Sequence, residues 1–267
     1  MASDIVENTD TINSGVTDGD DIFFAEGATD VTVNIDKSGL GANGLGKVFL
    51  AHPWVANVGT FGAPFKAEIS ADSDSIFDNK AGRGTFYYEI NGNANVCDLV
   101  RSSGPGTRLT VLQTGGTATV VECASGIIDV SEPVAATTLR LSGNGLINMP
   151  DAASTDPTLV ELTGGSWVTE RGATTVDNWG GMVDANVGAN TFGTINQRGG
   201  SFMLRQSGTI TALNWSGGNF DITKLGRNVI ITTLTVWAGV NQNALHDLIH
   251  SPLTVITNPI VYRMGNA

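Results

Sequence analysis

Basic residues are missing from the first 36 positions of this 267-residue chain; the first is Lys37, after nine acids from Asp4 to Asp36. Charge is scarce overall, at 15% of residues, and 26 acids against 14 bases leave a formal net charge of −12. No stripe of lysine and arginine is available for phosphate contacts, which argues against a nucleic-acid partner. No apolar run approaches the ~18 residues that cross a bilayer, so no membrane span is expected. Cys97 and Cys123 are the only cysteines, too few for a disulfide framework, and they read as buried free thiols. The opening residues, Met1 to Glu7, carry neither a cationic nor an apolar signal region, so synthesis and folding in a cytoplasm are expected.

Glycine, by contrast, is abundant at 34 residues, and its placement is ordered. Gly-Gly doublets stand at 164/165, 180/181, 199/200 and 217/218, at intervals of 16, 19 and 18 residues. Each lies between two short β-prone stretches, as in Leu159–Leu162 before the first doublet and Ser166–Thr169 after it. Weaker copies occupy Leu109–Val120, Leu139–Met149 and Leu234–Asn241. A repeat of strand, glycine turn and strand at ~18 residues cannot bury its own apolar face, but a stack of such rungs buries a continuous core. The spacing also fits the hairpins of a β-sandwich or jelly roll. Repetition in phase over four copies favours an all-β parallel β-helix, or β-solenoid. Its inward positions are read as Leu159 and Leu162, Val176, Ile195, Leu213 and Leu234 before the turn, with Val168, Val183, Met203 and Ile222 after it.

Three regions follow. Residues 1–95 are acidic and aromatic, with an irregular 47–92 segment that reads as an insertion or cap. Residues 96–241 form the solenoid, and 242–267 a C-terminal cap whose one helix, Asn241 to His250, carries Ala244, Leu245, Leu248 and Ile249 on one face. Open solenoid ends would polymerise, so both termini are expected to cover strand edges.

Candidate sites are few. Trp215 and Trp237 stand two residues before a glycine and Trp179 one before; stacked rungs would align Trp215 with Trp237 as an aromatic platform for sugars, a subunit contact or corner packing. Glu161 and Asp177 lie three positions ahead of adjacent doublets, and glycan-cleaving solenoids need two carboxylates roughly 5 to 9 Å apart. Solvated outer-face acids are the simpler account of both. Asp18, Asp20, Asp21 and Trp54 are the residues through which the N-terminal region would dock on a partner. His246 and His250 have the spacing of a metal pair without a third ligand, so no metal and no cofactor are expected.

The Leu-x-Leu, Gly-Gly, aromatic-x-Leu repeats, together with the acidic aromatic N-terminal section and short capped C-terminus, resemble the β-helical structural proteins of tailed bacteriophages. That resemblance implies a homotrimer located in the virion. It implies either a non-enzymatic decoration or cement subunit bound to the major capsid protein, or a tailspike that binds or cleaves host polysaccharide. The short chain and the lack of an acidic cleft favour decoration.

Overall fold

Alternation of buried and half-exposed residues organises nearly every strand: Leu159–Leu162, Ser166–Thr169, Met182–Ala185 and Ser201–Leu204 all place their second and fourth residues inside. Period two is the signature of a strand with one face on a core. The computed structural model describes residues 3–37, 39–40, 44–67, 76–91, 96–114, 117–130, 135–150, 155–186, 190–205, 207–222, 228–237, 240–252, 254–258 and 261–263. Every described pairing between strands is parallel, and from Asp21–Glu26 to Val229–Trp237 successive strands alternate between two sheets. The fold is therefore an all-β parallel β-solenoid with a short helix near its C-terminus. The chain divides into two units: Met1–Thr137 with Gly145–Ile147 and Ala152–Thr155, and Thr138–Asn144 with Asn148–Asp151 and Asp156–Ala267.

The first unit holds β1 (Ser3–Glu7), β2 (Asp21–Glu26), β3 (Asp36–Lys37), β4 (Lys47–Leu50), β5 (Phe65–Ala67), β6 (Ile76–Asn79), β7 (Arg83–Asn91), β8 (Val96–Ser102), β9 (Gly106–Thr114), β10 (Thr117–Cys123) and β11 (Ile127–Val130). One sheet runs β1-β2-β4-β6-β8-β10 and the other β3-β5-β7-β9-β11. Solenoid strands thus extend well upstream of residue 96, and 47–92 is not an insertion: β7 and β9 stay in register over nine residue pairs. The region is irregular in its connections only. Its aromatic residues are core: Trp54, Phe65, Phe86 and Tyr88 are buried, and Phe77 stacks on Tyr88 with ring centres 4.4 Å apart. Variable loops had hidden the period that these side chains fill.

Next come β12 (Ala135–Leu141) and β13 (Leu146–Met149), whose residues are divided between the units. The second unit continues with β14 (Leu159–Leu162), β15 (Ser166–Thr169), β16 (Ala173–Asn178), β17 (Met182–Ala185), β18 (Asn190–Gln197), β19 (Ser201–Leu204), β20 (Gly208–Trp215), β21 (Asn219–Asp221) and β22 (Val229–Trp237). Helix α1 (Gln242–His250), β23 (Thr254–Ile256) and β24 (Val261–Arg263) complete it. In the first sheet Val160, Val176, Ile195, Leu213 and Leu234 occupy one inward column. In the second, Trp167, Val183, Phe202 and Phe220 form another, with Phe202 and Phe220 stacked at 5.3 Å.

Three inward positions expected from the sequence are displaced by one residue. Leu159, Val168 and Met203 are half-exposed, while Val160, Trp167 and Phe202 point inside. The phase is constant relative to each doublet: two and four residues after the second glycine are buried in all four rungs. Hydropathy pulled Val168 and Met203 inward; the pleat decides otherwise.

The doublets form corners where successive rungs approach through bare backbone. Gly200 has φ +61°, and a Cβ there would lie 2.0 Å from the Gly181 carbonyl oxygen. Only glycine tolerates both that conformation and that approach. At the end of the second sheet, α1 packs on the edge strand β21 through buried Leu245 and Leu248, and the Asn241 side chain caps its first turn. Covering that edge withholds a template for strand addition. The cysteines, Cys97 at the start of β8 and Cys123 at the end of β10, are free and buried, and they do not share a column.

Candidate functional site

Two residues before each doublet the side chain turns into the corner. That column reads Leu162, Asn178, Gln197 and Trp215, followed by Val236, all buried. Its polar members are satisfied from neighbouring rungs. The Asn178 amide donates to Gln197 Oε1 at 3.0 Å and to the Gly181 carbonyl, while its oxygen accepts from the Gly180 and Gly181 amides. Gln197 donates to the Gly199 carbonyl. Trp215 continues the column, its indole N–H donating to the Gly217 carbonyl at 3.1 Å. Trp215 is therefore corner packing and offers no surface to a ligand. It does not align with Trp237 either, because its register partner in β22 is Val236.

The residues immediately after that column alternate to the outside. They are Thr163, Trp179, Arg198, Ser216 and Trp237. Trp179 is 57% exposed and Trp237 37%. The Arg198 guanidinium lies over the Trp179 ring, 4.0 Å from its centre, and 3.8 Å from Asp177 Oδ1.

One step back along each strand runs a second outward column: Arg140, Glu161, Asp177, Asn196, Asn214 and Thr235. Glu161 and Asp177 are register partners, so the acid pair read from the sequence does lie on adjacent rungs. Each is engaged elsewhere. Arg140 Nε donates to Glu161 at 2.9 Å; Asn196 donates to Asp177 at 2.7 Å, and Asn214 to Asn196 at 2.8 Å. This is an outer-face polar ladder in which the two carboxylates are charge-compensated. Sequence reasoning missed its neutral members, Asn196 and Asn214, although their phase relative to the doublets marked them.

In the first unit the homologous outward column starts differently, with Ile5, Phe23 and Phe49, and continues with Asp78, Arg101 and Glu122. Ile5 is 60% exposed, and the Phe23 and Phe49 rings lie 6.0 Å apart with Lys80 above Phe49. Val33, Val55 and Phe61 are exposed in the same unit. Of the four residues expected to dock a partner, Asp18 is exposed and Asp21 half-buried. Asp20 is buried and accepts from the Thr17 amide and hydroxyl at 2.9 Å, holding a turn. Trp54 is fully buried, edge-on to Phe24 at 5.2 Å, and is a core residue instead.

Among the described residues, no group of three potential ligands could hold a metal ion. His246 and His250 are exposed on α1 with ring centres 4.3 Å apart. A cleft of about 190 Å³ opens between β21 and α1, lined by Phe220, Asp221, Ala244, Asp247 and Leu248 among others. It is smaller than the ~300 Å³ at which small-molecule sites begin. No helix of the described chain is long and apolar enough to cross a membrane. No protein-family model matches the chain, and no curated protein or solved structure is significantly similar to it.

Proposed function

We propose that this protein is a non-enzymatic structural subunit of a tailed-phage virion, a decoration or cement protein that attaches to the head through its N-terminal unit. The observation that carries this reading is the apolar column Ile5, Phe23 and Phe49 on an outer sheet face, where the second unit carries charged and amide residues. Ile5 is exposed and Phe23 and Phe49 half-exposed, and apolar side chains reaching the surface in a contiguous column mark a protein contact surface. The acids around them, Asp4, Glu7, Asp21 and Glu26, suit a basic partner surface. The compensated state of Glu161 and Asp177 speaks against glycan hydrolysis, which requires one protonated and one free carboxyl group. Self-association as a homotrimer belongs to the same reading; Ile230 and Val255, exposed register neighbours in β22 and β23, supply apolar surface for it.

Co-sedimentation with undecorated tailed-phage heads tests the proposal. The parent protein should bind saturably, and Phe23→Lys with Phe49→Lys should abolish binding while leaving the circular dichroism unchanged. A protein that stays in the supernatant, or a double variant that binds like the parent, overturns it. Release of reducing ends from a host polysaccharide would instead make it a spike.

A further inference from the structure

We propose that the second unit binds a neutral glycan chain across Trp179 and Trp237, a site independent of head attachment. The buried column Asn178, Gln197, Trp215, Val236 is in strict register, and the Arg198 and Ser216 amides still bond back to the Asn178 and Gln197 carbonyls, so the residue that follows each column member emerges on the same outer line. Trp179 and Trp237 thus share one column three rungs apart, separated only by Arg198 and Ser216. Three spacings of ~4.8 Å place the indoles ~14 Å apart. One rung is close to the length of one pyranose ring, so a chain laid along the ladder meets both rings. Arg198 covers one face of Trp179 and orients it, yet 57% of the residue stays exposed.

Three features select the occupant. Charge is balanced: Asp177 and Arg198, the only ionised groups in these two columns from Asp177 to Trp237, lie 3.8 Å apart. That favours a neutral ligand over a phosphate chain or a charged peptide. Secondly, the strands that carry these columns, β16, β18, β20 and β22, have partners on both sides, so a peptide cannot be added through its backbone there and recognition falls to side chains. Thirdly, the adjoining column presents Asn196, Asn214 and Thr235. A carboxamide nitrogen carries two N–H groups, so beyond the bond each makes along the ladder Asn196 and Asn214 have the chemistry to donate to a sugar hydroxyl. Indole faces stack on the C–H face of a hexopyranose while these groups meet its hydroxyls.

The test is tryptophan emission of the full chain titrated with maltohexaose, cellohexaose and chitohexaose, with the matching disaccharides alongside. At least one hexasaccharide should give a saturable change and bind tenfold or more tightly than its disaccharide, which cannot touch both rings. Trp179→Ala and Trp237→Ala should each weaken binding about tenfold or more. No saturable binding by any of the three hexasaccharides overturns the proposal, as does binding unchanged in both variants. Head co-sedimentation of the same variants should match the parent, which separates failure here from failure of the attachment reading.

Discussion

Replacing Asn178 by alanine probes the corner ladder at its most connected residue. The side chain makes contacts with Gly180, Gly181, Gln197 and Ser201, reaching residues 23 positions away in sequence. Truncation leaves two buried groups without their partner, the Gly181 N–H and Gln197 Oε1; the Gly180 N–H is nearer solvent and can hydrate. An orphaned buried polar group costs ~1–3 kcal/mol, so the expected loss is about 2–6 kcal/mol. Asn178→Leu, which copies Leu162 one rung earlier, removes the cavity but keeps both orphans, and should lose about 1 kcal/mol less than alanine. Combining it with Gln197→Leu eliminates the Gln197 orphan, so the pair should be coupled by about 1–2 kcal/mol. Urea unfolding followed by tryptophan emission and circular dichroism measures this, provided the two transitions coincide. An Asn178→Ala variant within about 0.5 kcal/mol of the parent would refute the reasoning, because a surface substitution does no more.

Two further outcomes are expected. Gly200→Ala should cost at least about 2 kcal/mol, from φ +61° and the clash with Gly181, while Gly62→Ala, with open space around it, should be neutral; urea midpoints compare them. Burial pushes the Cys97 thiol up to about 12 and Cys123 up to about 11, from an ordinary 9.0. Both therefore stay protonated in the fold while an unfolded chain ionises near 9, so this contribution is complete below pH ~9 and is lost as pH rises towards 11–12. The urea midpoint should fall over that interval, and less so in Cys97→Ala with Cys123→Ala; equal falls in the two proteins would discard the account.

The proposed head attachment and the proposed glycan binding call on different units, and the contrast in their outer columns is what makes them separable. Ile5, Phe23 and Phe49 are apolar where Glu161, Asp177 and Asn196 are polar, at the same outward phase of the same sheet motif. An assay that moved both activities with one substitution would contradict that division.

The amino-acid sequence by itself determined the solenoid. Gly-Gly doublets in phase with alternating apolar residues admit few other ways of burying a continuous core, and the C-terminal helix followed from the spacing of Ala244, Leu245, Leu248 and Ile249. Much else required tertiary structure. Nothing in the sequence marks Asn178 and Gln197 as buried, because their partners lie a rung away and only stacking satisfies them inside. The strands before residue 96 were concealed by loops of unequal length, which change the spacing but not the register. Counting back from Gly239 aligns Trp237 with Trp215, but strand pairing sets Val236 beside Trp215, so Trp237 follows the line of Ser216 and Trp179. Period is a local property of the chain, whereas register depends on which rung each strand meets, and that decides which tryptophans share a face.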